Sequence, residues 1–229
     1  MTMSKPIYTA HYPSFSPFDM VALRELVSRL DAGFRVLEIG SWLGQGRTRI
    51  LLEEARKKGG TVYCVDTWKG NPNVKKHQHI VSEYDVLGTF LKNVEAAGGS
   101  QLVKPLIMSS GDAARVMRDL TFDLVFIDAD HSYVATLGDI HAWRPKVRLG
   151  GILCGHDCEG RVMDFGRERL ESGLDRDTIP GNERFREVHA GVILACDEVF
   201  GDKHQLWAET PIKAGDGSVG RSTIWFMQH

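Results

Sequence analysis

The 229-residue sequence predicts an α/β fold: a Rossmann-like, mostly parallel sheet with helices on both faces. Three observations carry that expectation. Short apolar segments alternate with stretches of helical periodicity as far as residue 155. Glycines cluster directly after the first apolar segment, where a strand must turn sharply into a helix. The last two apolar segments have no helix between them, as expected of an antiparallel hairpin at a sheet edge.

The elements follow in order. Ser16-Pro17, then Met20, Val21, Leu23, Leu26, Val27 and Leu30, predict a capped amphipathic helix. Residues 35–40 form a short apolar strand, and residues 46–58 a helix with Ile50, Leu51 and Ala55 facing inward. "TVYCVD", 61–66, is a β-branched strand. Val86, Phe90, Leu91 and Val94 repeat at helical spacing, and Gly98 ends that helix. Residues 102–107 are a third strand, followed by a short helix from about Asp112. "DLVFID", 123–128, is nearly unbroken apolar strand; Ser132 then caps a helix carrying Val134, Leu137, Ile140 and Trp143. "GGILCG", 150–155, is a fifth strand. A helix near 189–200 precedes the two strands "HQLWAE", 204–209, and "STIWFM", 222–227.

A hydrophobic content of 42% in 229 residues is enough for one sizeable core, so residues 1–229 are expected to form one domain. Within it, 1–32 is an N-terminal helical cover and 159–187 a charged insertion or lid. A net charge of −2 supplies no basic field for nucleic acid or an anionic membrane. No apolar run is long enough to span a bilayer, and "MTMSKPIYTAHYPSF" lacks the apolar stretch of a secretory signal. Cys64, Cys154, Cys158 and Cys196 form no Cys-x-x-Cys and read as reduced core thiols of a cytoplasmic protein, with a disulfide or zinc site as the alternative. Residues 70–82 are polar and turn-rich, and "KKHQH" within them reads as a surface loop, or else as a metal tract or lid. Residues 159–187 are about half charged. They read as a solvated helix and loop, or as a lid or homo-oligomer contact, because they follow the carboxyl end of a strand, where open α/β sheets bind ligands.

Gly40, Gly44 and Gly46 mark the first strand-to-helix corner. A dinucleotide fingerprint needs glycine where Trp42 stands, which weakens a nicotinamide reading. The pattern is instead Glu38-x-Gly40-x-x-x-Gly44, which places a carboxylate suited to a cationic or amine-bearing ligand at the strand end. A tight turn without a ligand would account for it equally. Asp66 ends the second strand, where a carboxylate can accept both hydroxyls of a ribose. Ser110, Gly111 and Asp112 follow the third strand and can meet an adenine edge. A nucleoside seat without a phosphate cradle points to S-adenosylmethionine.

The series "VLEIGSWLG", "VYCVDTWKG", "FDLVFIDADHSY" and "VRLGGILCGHD" resembles the class I S-adenosylmethionine-dependent methyltransferases, and most of all the branch called methyltransferase family 24. The likeness covers roughly residues 33–158 and resumes at "VHAGVILACDEVFG". It implies a seven-stranded sheet of order 3-2-1-4-5-7-6 with strand 7 antiparallel. It also implies cofactor contacts at Glu38, Gly40, Ser41, Asp66 and Asp112; Gly44, Thr67, Ser110, Gly111 and Asp128 complete the candidate cofactor set. Trp42 and the length of 159–187 depart from the family pattern, so the substrate side does not carry over.

Asp128, Asp130 and His131 end the fourth strand, and His156 and Asp157 the fifth. Neighbouring strands lie roughly 4.8 Å apart, so five ionisable groups meet at one edge, which is costly unless they bind something. One solution is a divalent cation on Asp128, His156 and Asp157: the carboxylates suit magnesium or manganese, and His156 shifts the preference toward manganese, iron or zinc. The resemblance points the same way, since related O-methyltransferases hold metals with acids at these strand ends. Equally, Asp128 can hold the methionine end of the cofactor, His131 with Ser132 can cap a helix, and His156 can bond backbone. A hydroxyl acceptor must lose its proton to attack the sulfonium methyl. His131 is the first candidate base and Asp130 the second, with Asp128 beside the reacting centre. The expected function is O-methylation of a small-molecule hydroxyl, such as a sugar, phenol or natural-product intermediate. An oxidoreductase on a related nucleotide fold, or a non-catalytic cofactor-binding scaffold plugged by 159–187, are the other readings. Tyr12, Phe15 and Phe18 either cover the cleft or pack the first helix. Trp68 and Trp143 are expected in the core or at the rim, with Lys69 and Asn71 favouring a rim at Trp68.

Overall fold

The structure, a computed structural model, describes residues 5–10, 15–72 and 74–229; Tyr12 lies outside them. Its centre is a sheet of β1 (Arg35–Ile39), β2 (Thr61–Asp66), β3 (Val103–Ile107), β4 (Phe122–Ile127), β5 (Val147–Gly155), β8 (Gln205–Leu206) and β11 (Trp225–Gln228). The spatial order is β3-β2-β1-β4-β5-β11-β8. Counted along the chain within this sheet, β8 is the sixth strand and β11 the seventh, so the order is the expected 3-2-1-4-5-7-6. β1 to β5 run parallel, and β11 runs antiparallel to both β5 and β8. All six residues of β4 are buried, which is why 124–127 are apolar without alternation; Asp123, at its start, is paired with the Arg35 N–H and with Arg148.

Helices α1 (Pro17–Ser28), α2 (Arg47–Lys58) and α4 (Val86–Ala96) put Leu23, Leu26, Leu51, Phe90 and Val94 on one face of the sheet. Helices α5 (Ser110–Val116), α6 (Tyr133–Trp143) and α9 (Ala190–Phe200) put Ala113, Ile140, Trp143 and Ile193 on the other. The start of α1 is as expected: Asp19 N–H donates to Ser16 Oγ at 3.1 Å, and Ser16 N–H to Asp19 Oδ2 at 3.0 Å. The four cysteines are free and buried, and among the described residues no helix is long and apolar enough to cross a membrane.

Five local expectations need correction. "KKHQH" is not a loop but opens α3 (Lys75–Glu83), anchored by buried Ile80. One apolar anchor in a polar run is too little periodicity to read. Ser132 stands at the N-cap of α6 but its side chain makes no capping bond; Asp130 Oδ1 accepts the Ser132 N–H at 2.8 Å instead. Val134 and Leu91 point to solvent. The first strand of the terminal hairpin is cut to two residues because Trp207–Glu209 winds into a 3-10 turn, and the loop beyond carries its own ribbon of β9 (Ile212–Lys213) and β10 (Val219–Gly220). Finally, 159–187 is not wholly solvated. It contains α7 (Val162–Phe165), α8 (Arg167–Glu171) and a ribbon of β6 (Ile179–Pro180) with β7 (Glu187–Val188). Phe165, Leu170 and Ile179, with Val188 just beyond the segment, are buried in the cluster that contains α9, so these four apolar residues hold a charged segment onto the sheet's flank.

Candidate active site

The carboxyl ends of β1, β2, β4 and β5 open into a cavity of about 550 Å³. One end is lined by Ile39, Val65, Met108, Asp66, Thr67 and Ser110, the other by Asp128, Asp130, His131, His156, Asp157, Asp177 and His189. Gly40, Trp42 and Arg47 lie between. An end that combines apolar walls with Asp66, Thr67 and Ser110 thus adjoins an end made of acids and histidines.

The first-strand turn is explained by the chain itself. Gly40 has φ +86°, and a Cβ there would run into the Asp128 carbonyl. The tips of β1 and β4 are drawn together by Asp128 N–H donating to Ile39 O at 3.0 Å. Ser41 is buried, and Gly44 packs on Phe90 rather than on the cavity. Glu38 lies wholly buried behind the turn; Thr48 Oγ1 donates to its two oxygens at 3.0 and 2.8 Å, and Arg47 Nε lies 3.2 Å away. Burial pushes the Glu38 carboxyl up, and the guanidinium pulls it back. The same guanidinium pairs with Asp128 and donates to Gly40 O. Arg47 therefore stitches the tips of β1 and β4, and the sequence reading missed it because an arginine in a helix's first turn reads as surface.

Asp66 lines the cavity, with Oδ2 accepting Trp42 N–H at 2.8 Å and Oδ1 accepting Trp68 N–H at 2.7 Å. Each oxygen keeps acceptor capacity. Burial raises this carboxyl against the pull of those two N–H groups. Trp42 stacks on His77 with ring centroids 4.4 Å apart. Trp68 is core: its indole N–H donates to Trp42 O at 2.8 Å and its ring meets Phe90. Ser110 Oγ pairs with Asp139 and accepts the Trp143 indole N–H at 2.8 Å. Gly111 and Asp112 are not on the lining; Asp112 is bonded to Ser109 and Arg115 at the exposed start of α5.

The other end brings together the predicted Asp128, Asp130, His131, His156 and Asp157, and adds Asp19, Glu159, Asp177 and His189. His131 Nε2 is 3.0 Å from Asp157 and 3.6 Å from Asp128, and its Nδ1 is 3.0 Å from Asp177. His156 Nδ1 is 3.0 Å from Asp157, and its Nε2 is 3.2 Å from Asp19. Phe15 covers the His156 ring at 5.2 Å. Burial works against charge on both imidazoles, but the carboxylates outweigh it and raise both well above the ordinary range. Burial likewise opposes charge on Asp157, yet His156, His189 and His131 bring it well below the usual carboxylate range. Asp130 Oδ1 is taken by Ser132 N–H, and Oδ2 accepts from Asn71 at 3.3 Å.

Ligand atoms of Asp128, His156 and Asp157 lie within 4.8 Å of one another, the trio expected for a cation. Two carboxylates and an imidazole fit manganese, iron or zinc better than magnesium. Arg47 already occupies one Asp128 oxygen, so a cation there has the other oxygen to use. Asp19, Asp177, Glu159 and His189 carried no usable signal: Asp19 reads as part of a capping box, and the others sit in a charge-rich stretch or at the start of a helix.

Residues 37–158, more than half of the chain, match the sequence profile of methyltransferase family 24, described as a methyltransferase domain. The chain belongs to methyltransferase family 24. Its fold is that of the class I S-adenosylmethionine-dependent methyltransferases. No curated protein matches the sequence significantly. Cofactor-bound Rv0187 from MTB is similar at 21% identity and TM-score 0.57, over 95% of this methyltransferase and 82% of that chain. The O-methyltransferase NovP is similar at 16% identity and TM-score 0.53, over 92% and 78%. A Corynebacterium glutamicum protein aligns at 13% identity and TM-score 0.53, over 94% and 82%. The chain spans half the length of a Geobacter sulfurreducens methyltransferase solved with S-adenosyl-L-homocysteine: 50% of that chain and 65% of this one, at 21% identity and TM-score 0.43.

Proposed function

We propose that this methyltransferase uses S-adenosylmethionine to methylate a hydroxyl oxygen of a small molecule. The observation that carries the reading is the two-ended cleft, in which Ile39, Val65, Met108 and Asp66 adjoin a cluster of Asp128, Asp130 and Asp157. The first end suits a nucleoside: apolar walls for a base, and the Asp66 carboxylate for ribose hydroxyls. The second end suits removal of a proton from an oxygen. Family membership favours methyl transfer over hydride chemistry. The cofactor supplies a methyl already activated on sulfonium sulfur, so the protein's task is to hold a nucleophile in line and at short range. The cleft remains open beside 159–187, which favours an enzyme over a plugged scaffold.

In this reading Arg47 fixes Asp128 beside the methionine end of the cofactor. Asp128, His156 and Asp157 are the residues that would hold a divalent cation, which when bound would lower the acceptor's pKa. Asp157 and Asp177 face the two ring nitrogens of His131, so His131 is engaged with its carboxylate neighbours rather than turned to the acceptor as a base. Asp130, the second candidate, lines the cleft and receives the proton.

The test is release of S-adenosylhomocysteine with a panel of hydroxylated and amine-bearing small molecules, with and without manganese. Turnover on a hydroxyl acceptor is expected. Turnover confined to amines, or absent from both classes at saturating cofactor, would contradict the assignment.

A further inference from the structure

His189 was not among the predicted residues, yet Glu159 holds it at two points. Its backbone N–H donates to Glu159 Oε2 at 3.0 Å, and its Nδ1–H to Glu159 Oε1 at 2.7 Å. Glu159 is 5% exposed, so this carboxylate is spent on orienting one imidazole. The orientation leaves Nε2 for another partner. His131 is held in a matching way: Nε2 lies 3.0 Å from Asp157 Oδ2, and Nδ1 faces Asp177. The two rings meet edge to face with centroids 4.5 Å apart. Ligand atoms of His131, Asp177 and His189 fall within 4.8 Å of one another, and all three residues line the cavity.

Two imidazoles, each with its second nitrogen held by a carboxylate, and one carboxylate more exposed than its neighbours, form a particular donor set. Histidines that ligate a metal almost always present their other ring nitrogen to a carboxylate or carbonyl, which fixes the ring and raises its basicity. Two histidines and a carboxylate with open positions select a borderline divalent transition ion over magnesium or calcium. We propose that His131, Asp177 and His189 form a binding site for such an ion, of the zinc, iron or cobalt class, with Glu159 and Asp157 orienting the two histidines. This site is distinct from the Asp128, His156 and Asp157 trio. Asp157 stands between them, turning Oδ1 toward His156 at 3.0 Å and Oδ2 toward His131 at 3.0 Å. Because Asp177 belongs to 159–187 and His131 to the tip of β4, a bound ion would tie the charged segment to the strand ends and leave its open positions facing the cleft. The inference rests on side-chain geometry and holds whichever acceptor the enzyme methylates.

The test is metal binding by the full chain. Chelator-treated protein is dialysed against zinc, bound zinc is counted, and cobalt is titrated with its visible absorption recorded. Wild type is expected to bind zinc, and Asp177→Ala and His189→Ala are each expected to lose one bound ion per chain and the cobalt bands that go with it. Asp128→Asn, which strikes the neighbouring trio, should retain that ion. Asp177 is half exposed, so its truncation tests the site even if His189→Ala does not fold. No zinc bound to wild type, or the same number of ions bound to Asp177→Ala as to wild type, would overturn the proposal. Binding of S-adenosylhomocysteine by wild type is read separately, so failure of the methyltransferase reading and failure of this site are told apart.

Discussion

Arg47→Ala is expected to destabilise the protein by about 3–5 kcal/mol, the cost of removing one partner from a buried ion network. Arg47 is almost fully buried between Glu38 and Asp128, whose side chains are equally enclosed. Truncation would leave both carboxylates facing each other across the tips of β1 and β4. It would also remove the donor to Gly40 O that holds the turn. Arg47→Lys keeps the charge but loses the planar fork that reaches three acceptors at once, and should fall between the two. Urea unfolding at neutral pH gives the values. A loss below about 1 kcal/mol for Arg47→Ala would place this pair among the weak, solvent-exposed kind. The guanidinium would then not be what binds the two strand tips.

Asp130→Asn is expected to lower turnover on a hydroxyl acceptor by about 10²–10⁴-fold, the usual contribution of a positioned base. The amide keeps an oxygen for the Ser132 N–H, so the start of α6 should survive. Asp130 also stands apart from the apolar end of the cleft, so cofactor affinity should hold within about threefold, under 1 kcal/mol. Single-turnover rates measured beside S-adenosylhomocysteine affinity separate the two effects. Equal losses in both would make Asp130 a structural support of the cleft, and an unchanged rate would return the base to another residue.

The parts of this molecule legible in the sequence are those where one physical signal dominates. The apolar run 124–127, and β-branched 61–66, announce a buried parallel sheet, and the missing helix before 225–228 announces the antiparallel edge. The gathering of Asp128, Asp130, His131, His156 and Asp157 was legible because topology alone brings neighbouring strand tips together. The purpose of individual side chains was less so. Glu38 looked like a ligand group but is enclosed with Arg47 and Thr48, a partnership made by a helix folding back over its own strand. Gly40 lines the cavity as expected, but its lack of a side chain is also required by the Asp128 carbonyl. Asp112 looked like part of the cleft but is drawn into the cap of α5. Asp177 reaches the site through a segment whose charges mask the apolar residues that seat it, and His189 through the start of the helix that follows.

The most direct measurement is a calorimetric titration of S-adenosylhomocysteine into the metal-free full chain and its Asp66→Ala variant. Saturable binding to wild type without added metal is predicted, with affinity in Asp66→Ala weaker by more than about tenfold, or roughly 1.4 kcal/mol. No binding to wild type, or equal affinity in the two proteins, would contradict a nucleoside seat built from the ends of these strands.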